Sequence, residues 1–437
     1  MAGRSFSGEL DKSSAETGGR VARRVVITGL GALSPCGLDV SSTWDALVHG
    51  RSGIGPITCF DTQGWPVRIA GELPGFDPLA HFSRHELKRL ERFTQLARVA
   101  AEQAVADAKI ELPGSNPQRV GVYVGTGIGG LGEIERGAGS LAERGYKGLS
   151  PFFLPRILTN LAAGNVALRF GAHGPSLCVS TACAAGNHSI GEAWRCIRDD
   201  QADVVIAGGT EACIAPIAVG GFAVMRSLSR RNDDPATASR PFDRARDGFV
   251  MSEGAGMLVL EELRHAQHRG APIYAELAGY ALGNDAHHIT SPPPDGAGAA
   301  RCMAAALRSA GVTPSQVGYV NAHGTSTRAN DLAETAALHT VFGPHAPTVP
   351  VSSTKSMTGH LLGAAGGLEA VITVLAMHHG ILPPTSTLQD PDPGCDLDYI
   401  PRHARPAQVD VALSNAFGFG GTNACLVFRR FHEQDCP

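Results

Sequence analysis

A cysteine set among small residues lies where the chain changes from a β-rich run to a helical pattern. Cys183 stands in the stretch Ser-Thr-Ala-Cys-Ala-Ala-Gly at 180–186, and apolar residues spaced three and four apart follow it. The spacing predicts that Cys183 lies at or near the first turn of a helix, where unpaired backbone N–H groups and the positive end of the dipole collect. That setting lowers the pKa of a thiol, and the thiolate is the nucleophilic form. The alternative is a buried cysteine that only fills the core.

Two histidines follow predicted strands in the second half of the chain. His323 begins the loop His-Gly-Thr-Ser-Thr at 323–327, and His360 ends Lys-Ser-Met-Thr-Gly-His at 355–360. A third loop, Phe-Gly-Phe-Gly-Gly-Thr-Asn, follows a strand at 417–423. Loops at strand ends are where α/β folds place catalytic groups. A lone histidine is more often structural, so the shared setting of these two makes them the candidates.

Alternating strand and helix patterns predict the elements that carry these loops. Buried strands are predicted at 120–124, 202–209, 257–260, 317–321, 349–353 and 409–414. This alternation indicates an α/β protein with mixed sheets. We expect one amphipathic helix from Ser83 to Ala108 and a fully buried helix from Leu361 to Met377. Two strands end in similar loops, at 125–127 and 322–325, which is a weak sign of internal duplication.

The composition describes an ordinary globular protein with more than one hydrophobic unit. The chain has 437 residues, 43% of them hydrophobic and 18% charged, which is long for a single core. Its net charge of −4 argues against nucleic acid as the main partner. We find no run of 18 apolar residues and therefore predict no membrane span. Residues 1–22 are polar and rich in serine and glycine, so we expect a disordered tail there.

The ten cysteines are widely spread, and none forms a Cys-x-x-Cys pair or a zinc-like cluster. In a large chain without a signal peptide, this usage indicates free thiols in a reducing compartment. We therefore predict a cytoplasmic protein with no metal site.

The segment Gly125–Gly130 matches the dinucleotide fingerprint Gly-x-Gly-x-x-Gly. A lone match has a high false-positive rate, and the acidic Glu133 and Glu135 follow close behind it. We expect no nicotinamide cofactor, and instead a loop packed closely against a substrate or a neighbouring chain.

Three motifs together resemble the β-ketoacyl-[acyl-carrier-protein] synthases, with the greatest likeness to the type II enzyme of dissociated fatty acid synthesis. They are Ser-Thr-Ala-Cys-Ala-Ala-Gly, Asn-Ala-His-Gly-Thr-Ser-Thr, and Thr-Lys-Ser-Met-Thr-Gly-His-Leu-Leu-Gly-Ala-Ala-Gly, which contain Cys183, His323 and His360. The resemblance covers nearly the whole chain. It implies the thiolase fold, two similar α/β halves in a five-layer α-β-α-β-α sandwich, usually as a homodimer. We expect the halves at 23–272, with the cysteine, and at 273–430, with the two histidines.

The resemblance implies a decarboxylative Claisen condensation that elongates fatty acids by two carbons. Cys183 would take an acyl group from a thioester, and the backbone N–H groups of Cys183 and Phe419 would stabilise the oxyanion. Malonyl thioester would then lose CO2, and the Nε2 groups of His323 and His360 would stabilise the enolate.

The resemblance also implies supporting and substrate-binding positions, each of which has ordinary packing or a solvated charge as its alternative. These positions are Lys355 and Glu369 beside the histidines, Thr325 and Thr327 on the phosphopantetheine arm, Phe419 as a gate, and Ile128 and Phe222 along the acyl pocket. The arm arrives on the carrier protein, so no resident cofactor is implied. Asp331 and Glu334 are expected simply to cap and charge the helix after the His323 loop.

Acyl carrier protein, loaded with an acyl or a malonyl group, is the partner that the resemblance implies. That protein is acidic, and cations at the rim of the site would mainly raise the on-rate. Lys88, Arg89, Lys147 and Arg226 align with basic positions of the family. His85 stands where the type II enzyme often has lysine, a departure that bears on the strength of docking.

Two alternatives stay open. A polyketide ketosynthase of a secondary pathway would use the same three residues, and nothing in the motif loops separates the two enzymes. A non-catalytic chain-length partner subunit normally lacks the nucleophile, whereas Cys183 is present. A thiolase is disfavoured because Cys425 lies beyond the glycine loop, and the chalcone-synthase relatives use Cys-His-Asn instead of two histidines.

Overall fold

The computed structural model describes residues 23–114 and 116–432, and the tail predicted at 1–22 lies outside them. Within these residues the strands are β1 Val25–Leu33, β2 Gly55–Pro56, β3 Ile69–Ala70, β4 Val120–Gly125, β5 Ser176–Val179, β6 Val204–Glu211, β7 Gly254–Glu262, β8 Ala275–Asn284, β9 Tyr319–Asn321, β10 Val351–Ser352, β11 Ile381–Leu382, β12 Arg405–Pro406, β13 Val411–Gly418 and β14 Thr422–Arg429. The central strands are buried along their length, as expected for near-continuous apolar runs covered on both faces.

The α-helices lie between and over these strands. They are α1 Val40–Val48, α2 Arg84–Leu87, α3 Arg92–Asp107, α4 Leu131–Arg144, α5 Phe153–Ile157, α6 Leu161–Phe170, α7 Ala185–Arg198, α8 Pro216–Val224, α9 Leu263–His268, α10 Ala297–Ala310, α11 Arg328–Phe342, α12 Lys355–Thr358 and α13 Ala365–His379. Short 3₁₀ turns precede α7 and α13, at Ala182–Ala184 and Leu362–Ala364. The predicted strands and the buried helix predicted from Leu361 therefore exist, with their ends moved by a few residues.

One ten-stranded sheet is made of two halves with the same pairing pattern. Its order is β10-β9-β13-β14-β8-β1-β7-β6-β4-β5. In one half β4 runs parallel to both β5 and β6, and β7 is antiparallel to both β6 and β1. In the other half β9 runs parallel to β10 and β13, and β14 is antiparallel to β13 and β8. The halves meet where β1 pairs with β8 at Val26 and Ile27, and the repeat confirms two similar α/β halves.

Five layers result from the way helices cover this sheet. Helices α3 and α6 lie outside the first half, with α3 against β1, β6 and β7 and α6 against β4 and β5. Helices α7 and α13 lie between the halves and contact strands of both. Helices α10 and α11 lie outside the second half, with α10 against β8 and β14. This arrangement confirms the predicted α-β-α-β-α order. The domain boundary predicted between residues 272 and 273 falls in the link between α9 and β8, and it stays a prediction.

The two central helices cross at glycines. A Cβ atom on Gly186 of α7 would lie 2.5 Å from the backbone nitrogen of Gly367 in α13. Since ordinary contact begins at 3.4 Å, only a residue without a side chain fits this crossing. The crossing fixes the start of α7, just after Cys183, against the start of α13, just after His360.

The helix at the centre of the molecule is apolar all round. The stretch Leu362–His379 is long and apolar enough to cross a membrane, but 89% of it is buried inside the protein. The apolar composition of this helix is explained by its place in the core, where all of its faces pack against other elements of the protein.

The single helix predicted from Ser83 to Ala108 is wrong in its middle. The structure has α2 and α3, and Glu91 between them is extended, with φ −78° and ψ 160°. The buried carboxylate of Glu91 accepts hydrogen bonds from Arg136 at 2.6 Å and from Arg156 at 2.7 Å. Both arginines are distant in sequence, so the apolar periodicity of the segment does not reveal the break.

Candidate active site

One pocket brings the cysteine and both histidines together. Cys183, His323 and His360 line a cavity of about 680 Å³. The cysteine follows β5 of the first half, whereas the histidines follow β9 and β10 of the second, so the site lies between the halves. The other predicted residues that line the same cavity are Ile128, Phe222, Arg226, Thr325, Thr327 and Phe419.

A sharp turn presents Cys183. The preceding residue, Ala182, has φ +49°, a left-handed conformation that costs a residue with a side chain about 1 kcal/mol or more. The 3₁₀ turn Ala182–Ala184 then leads directly into α7, so Cys183 lies at the helix start, as the spacing predicts. The backbone N–H groups of Phe419 and of Cys183 itself lie within hydrogen-bonding reach of the Cys183 sulfur.

The expected lowering of the Cys183 pKa is wrong. Burial raises the pKa of this thiol to about 12, although the charge of Lys355 and the two backbone N–H groups act in the opposite direction. The cysteine is 9% exposed, so desolvation of the thiolate outweighs the helix start. The resting group is therefore the thiol, and its proton must leave as the sulfur attacks.

The two histidines form a buried, neutral pair. Their ring centroids are 5.3 Å apart and their planes are nearly perpendicular, at 84°. Burial and the charge of Lys355 hold the pKa of His323 and of His360 well below the ordinary value. Neither Nδ1 atom has a hydrogen-bond partner in the described part of the chain. Both rings are thus neutral imidazoles able to donate or accept a proton at the cavity.

Two carboxylates support the His323 loop, which corrects the expectation that they cap helix α11. Glu334 accepts hydrogen bonds from the backbone N–H groups of His323 at 2.9 Å and Gly324 at 2.7 Å. Asp331 lies in the first turn of α11, but it accepts from the N–H of Ser326 in that loop at 3.2 Å and from the N–H of Phe242 at 2.8 Å. The N-cap hydroxyl belongs to Thr327. These contacts join distant segments, and charge near a helix start does not reveal them.

Lys355 and Glu369 form a buried ion pair behind the histidines. Lys355 is 1% exposed and Glu369 3%, and neither lines the cavity. Burial raises the pKa of Glu369 to about 7, against the lowering effect of Lys355. The ammonium group lowers the pKa of Cys183, His323 and His360, so it acts on all three through the protein interior.

The Phe419 loop lies against the cysteine turn. The Thr422 hydroxyl donates to the carbonyl of Thr181 at 3.2 Å, two residues before Cys183. Gly420 and Gly421, with φ of +82° and +72°, make the turn that follows Phe419. The Phe419 ring lies 6.4 Å from that of Phe222, centroid to centroid.

The remaining predicted substrate positions line two parts of the cavity. The hydroxyl oxygens of Thr325 and Thr327 lie 2.9 Å apart and form one polar edge. Ile128 and Phe222 lie on the apolar side, where the Phe222 ring packs edge-on against Phe249 at 5.4 Å. The cavity therefore has a polar edge and an apolar end.

Of the four cations predicted to dock the carrier protein, one lines the cavity and three do not. Arg226 is exposed and lines the cavity mouth. Lys88, Arg89 and Lys147 are exposed but do not line the cavity. Arg89 lies over the ring of Phe152 at 5.2 Å.

The glycine loop after β4 packs against the cysteine turn. A Cβ atom on Gly127 would lie 3.4 Å from the Cα atom of Ala182, and Gly127 and Ile128 line the cavity. The backbone N–H groups of Gly127 and Gly129, which a dinucleotide phosphate would need, donate to the buried carboxylate of Glu211. This pairing leaves the loop unsuited to a nicotinamide cofactor.

Phe249 and Leu362 line the cavity and are missed by the sequence reasoning. The Phe249 ring packs edge-on against His360 at 5.4 Å, and Leu362, with φ +50°, lies two residues beyond that histidine. An apolar residue in an apolar run carries no chemical signal in a single sequence. Within the described residues, no group of three or more His, Cys, Asp or Glu side chains is placed to hold a metal ion.

Comparison with protein families matches both halves. The model of the β-ketoacyl synthase N-terminal domain matches residues 22–266, and that of the C-terminal domain matches residues 274–389. The chain belongs to the β-ketoacyl synthase family. The 3-oxoacyl-[acyl-carrier-protein] synthase 2 of Synechocystis sp. is 52% identical over 409 residues, which cover 94% of this chain and 98% of that protein.

Solved structures of β-ketoacyl synthases share the fold over the same span. A β-ketoacyl synthase from Burkholderia phymatum superposes with a TM-score of 0.87 and 36% identity, covering 94% of this chain and all of that one. A type II polyketide synthase acyl-carrier protein in complex with its ketosynthase, bound to the hexaketide, gives a TM-score of 0.88 at 36% identity, with the same coverage. The thiolase fold predicted from the motifs is confirmed.

Proposed function

We propose that Cys183, His323 and His360 together perform the decarboxylative Claisen condensation of fatty acid elongation, adding two carbons per turn. The observation that carries the proposal is one cavity that holds a thiol and two neutral imidazoles. The family match and the 52% identity to a 3-oxoacyl-[acyl-carrier-protein] synthase 2 make the chain an acyltransferase of this class.

In the first half-reaction the Cys183 sulfur attacks the carbonyl carbon of an acyl thioester. A neutral imidazole of the cavity accepts the thiol proton, because a group with a pKa of about 12 does not ionise beforehand at neutral pH. The backbone N–H groups of Cys183 and Phe419, both of which lower the pKa of the thiol, stabilise the oxyanion. The carbon–sulfur bond to the carrier breaks, the carrier leaves as a thiol, and the acyl group stays on Cys183.

In the second half-reaction malonyl thioester loses CO2 and becomes an enolate. His323 and His360 donate hydrogen bonds from Nε2 to the enolate oxygen, and their low pKa values keep them neutral donors at neutral pH. The enolate carbon attacks the acyl carbonyl, and the carbon–sulfur bond to Cys183 breaks. The leaving thiolate takes up a proton from solvent, which restores the resting thiol. Lys355, which forms an ion pair with Glu369, lowers the pKa of both imidazole rings through its charge.

The substrates arrive on acyl carrier protein, and the chain needs no resident cofactor. Arg226 at the cavity mouth suits an acidic carrier, and Thr325 and Thr327 offer hydroxyl groups to the phosphopantetheine arm. Lys88, Arg89 and Lys147, which are exposed outside the cavity, are the other cations offered to the carrier. Support comes also from the solved ketosynthase that is bound to its acyl-carrier protein. Ile128 and Phe222 line the acyl end, and Phe419 gates it.

The functional unit is a homodimer in the cytoplasm. Strand β5 is an edge strand whose Leu177 is 42% exposed, and Leu168 of the adjoining α6 is 81% exposed. An exposed apolar edge strand is a ready surface for pairing with a second copy. The nine described cysteines are free, which suits a reducing compartment. Sedimentation velocity tests the dimer, and a monomer at micromolar concentration would exclude it.

A polyketide ketosynthase is the second candidate, because a solved ketosynthase of a type II polyketide synthase shares the fold at 36% identity. The higher identity to a fatty acid enzyme, 52%, favours fatty acid elongation. Turnover on saturated acyl carriers against β-ketoacyl carriers separates the two, since a polyketide enzyme extends chains that keep their ketone groups.

Intact-protein mass spectrometry tests the proposal. After incubation with acyl-loaded carrier protein, the enzyme should gain one acyl mass on Cys183, and Cys183→Ala should gain none. Addition of malonyl carrier should then release the mass as a β-ketoacyl product. Acyl transfer to another residue, or full condensation by Cys183→Ala, would exclude the assignment.

A further inference from the structure

Glu211, the last residue of β6, is a buried carboxylate that the proposed chemistry does not use. It is fully buried and does not line the cavity. Its Oε1 accepts from the Thr126 hydroxyl at 2.9 Å and from the N–H groups of Ile128 at 3.4 Å and Gly129 at 3.3 Å. Its Oε2 accepts from the N–H of Gly127 at 2.7 Å and from that of Gly363 at 3.1 Å. Five donors converge on one carboxylate, so the environment is built around it.

These donors come from the two halves of the molecule. Gly127 belongs to the loop after β4 and precedes Ile128, which lines the cavity. Gly363 belongs to the turn after His360 and follows Leu362, which lines the cavity from the other half. A Cβ atom on Gly363 would lie 2.7 Å from Oε2 of Glu211, so this turn approaches as closely as its backbone permits.

Glu211 has no ion-pair partner among residues 23–114 and 116–432. In the described part of the chain no lysine, arginine or histidine forms an ion pair with it, and its hydrogen bonds come from backbone N–H groups and one hydroxyl. Burial raises the pKa of Glu211, while the bonds to Thr126, Gly127, Gly363 and Gly129 lower it. A negative charge here also raises the pKa of Cys183, opposite in sign to Lys355.

We propose that Glu211 is a positioning residue, whose carboxylate holds the loop that carries Ile128 and the turn that follows His360 at a fixed separation across the two halves. The inference rests on the proposed function, since it takes Ile128 as a wall of the acyl pocket and His360 as the donor to the enolate. Glu211 is thus the common anchor of the acyl end and the histidine end of the cavity, and its charge acts at Cys183 in the direction opposite to that of Lys355.

Two substitutions distinguish the effect of the Glu211 charge from the effect of its side-chain length. Glu211→Gln keeps the length and removes the charge. Its amide nitrogen can face the Thr126 hydroxyl, which also accepts, so the bonds from Gly127 and Gly363 survive on the other side, whereas the longer bonds from Ile128 and Gly129 are lost. Glu211→Asp keeps the charge and shortens the side chain by one methylene, so it cannot reach both halves at once.

The control is Glu133→Gln. Glu133 is also a buried carboxylate, in α4 close to the same loop, but its partners are Arg136 at 3.0 Å and Arg156 at 3.1 Å. It measures the effect of removing a buried charge that does not join the two halves. Three readouts are compared in the full-length variants: thermal unfolding, condensation rate, and the rate of Cys183 alkylation by iodoacetamide at pH 8, followed on the Cys183 peptide.

We expect Cys183 alkylation to become about threefold faster in Glu211→Gln, because thiolate population rises as its pKa falls. It should stay unchanged in Glu211→Asp and Glu133→Gln. Condensation should fall about tenfold or more in Glu211→Asp, because a reacting group displaced by part of an ångström loses its alignment. Glu133→Gln should condense at the wild-type rate.

The outcomes that overturn the proposal are equally clear. If Glu211→Asp condenses like the wild type, the carboxylate anchors nothing. If Glu211→Gln is stable but alkylates at the wild-type rate, the charge does not act on the nucleophile and a merely structural role remains. Should Glu211→Gln fail to fold, the Asp variant decides alone. A wild-type enzyme without condensing activity would instead overturn the proposed function, and the alkylation rates would still report on Glu211.

Discussion

Gly186 lies three residues after Cys183, where α7 crosses α13, and its replacement by alanine tests how the site is positioned. A methyl group there would lie 2.5 Å from the backbone nitrogen of Gly367 and 3.2 Å from the carbonyl oxygen of Gly363. Both neighbours are backbone atoms of the helix start that follows His360, so no flexible side chain can move aside. The two helices must separate instead.

The size of the separation follows from these distances. Ordinary contact begins at 3.4 Å, so the helices must part by about 1 Å. A 1 Å misplacement of reacting groups costs about a hundredfold in rate. Overpacking of a tight core costs about 1–3 kcal/mol, of which alanine recovers about 1 kcal/mol through its helix propensity. Gly186→Ala should therefore fold with a modest loss of stability and condense about a hundredfold more slowly.

The assay separates the two half-reactions. Acyl transfer to Cys183, followed by mass spectrometry, needs the thiol and one imidazole as base. It should fall less than condensation, which needs Cys183 and both imidazoles in register. Gly139→Ala is the matched control, because Gly139 lies in α4 with nothing within 4 Å of its Cβ position. That variant should be as active as the wild type and slightly more stable. Condensation by Gly186→Ala within threefold of the wild type would refute the argument that this crossing sets the geometry.

Three further predictions concern the cavity itself. His323→Ala should lose CO2 release from malonyl carrier while Cys183 still accepts an acyl group; normal CO2 release would remove His323 from the mechanism. Lys355→Met removes a charge that lowers the Cys183 pKa, so iodoacetamide should alkylate Cys183 more slowly at pH 8 than in the wild type. The same variant raises the Glu369 pKa above about 7. The folded state then holds a proton that the unfolded chain has released, so the free energy of unfolding in urea should keep falling from pH 7 to pH 8, by at most about 1.4 kcal/mol, and a flat profile would contradict this. Phe222→Ala enlarges the apolar end beside Phe249 and Phe419, so kcat/KM over a series of acyl carriers should shift towards longer chains; an unchanged preference would show that another residue limits the pocket.

Local sequence patterns were sufficient to predict elements and motifs whose residues are contiguous in the chain. The apolar run at 120–124 becomes β4, and the alternation of strands with helices gives the α/β class. The long apolar stretch from Leu361 becomes the buried α13, because a helix apolar on every face must be covered on every face. The motifs around Cys183, His323 and His360 indicate the family because residue types and their order are properties of the sequence.

Predictions that depended on distant partners failed. The helix predicted across Glu91 is broken because Arg136 and Arg156 hold that carboxylate from elsewhere in the fold. Glu334 resembles a helix-charging residue in sequence, yet its carboxylate binds the main chain of the His323 loop. Such pairings join residues by proximity in space, and no local spacing encodes them.

The sequence by itself determined which groups can react: one thiol, two imidazoles, an ammonium group and the glycines that let backbones approach. Only the tertiary structure decided that the thiol and the two imidazoles meet in one cavity. It also decided that the pKa of the thiol is raised, that the pKa values of the imidazoles are lowered, and that the lysine forms an ion pair with a carboxylate. The reason is physical. The sequence specifies the identity of each side chain. Its pKa and its partners depend on burial and on neighbours that folding brings from the other half of the molecule.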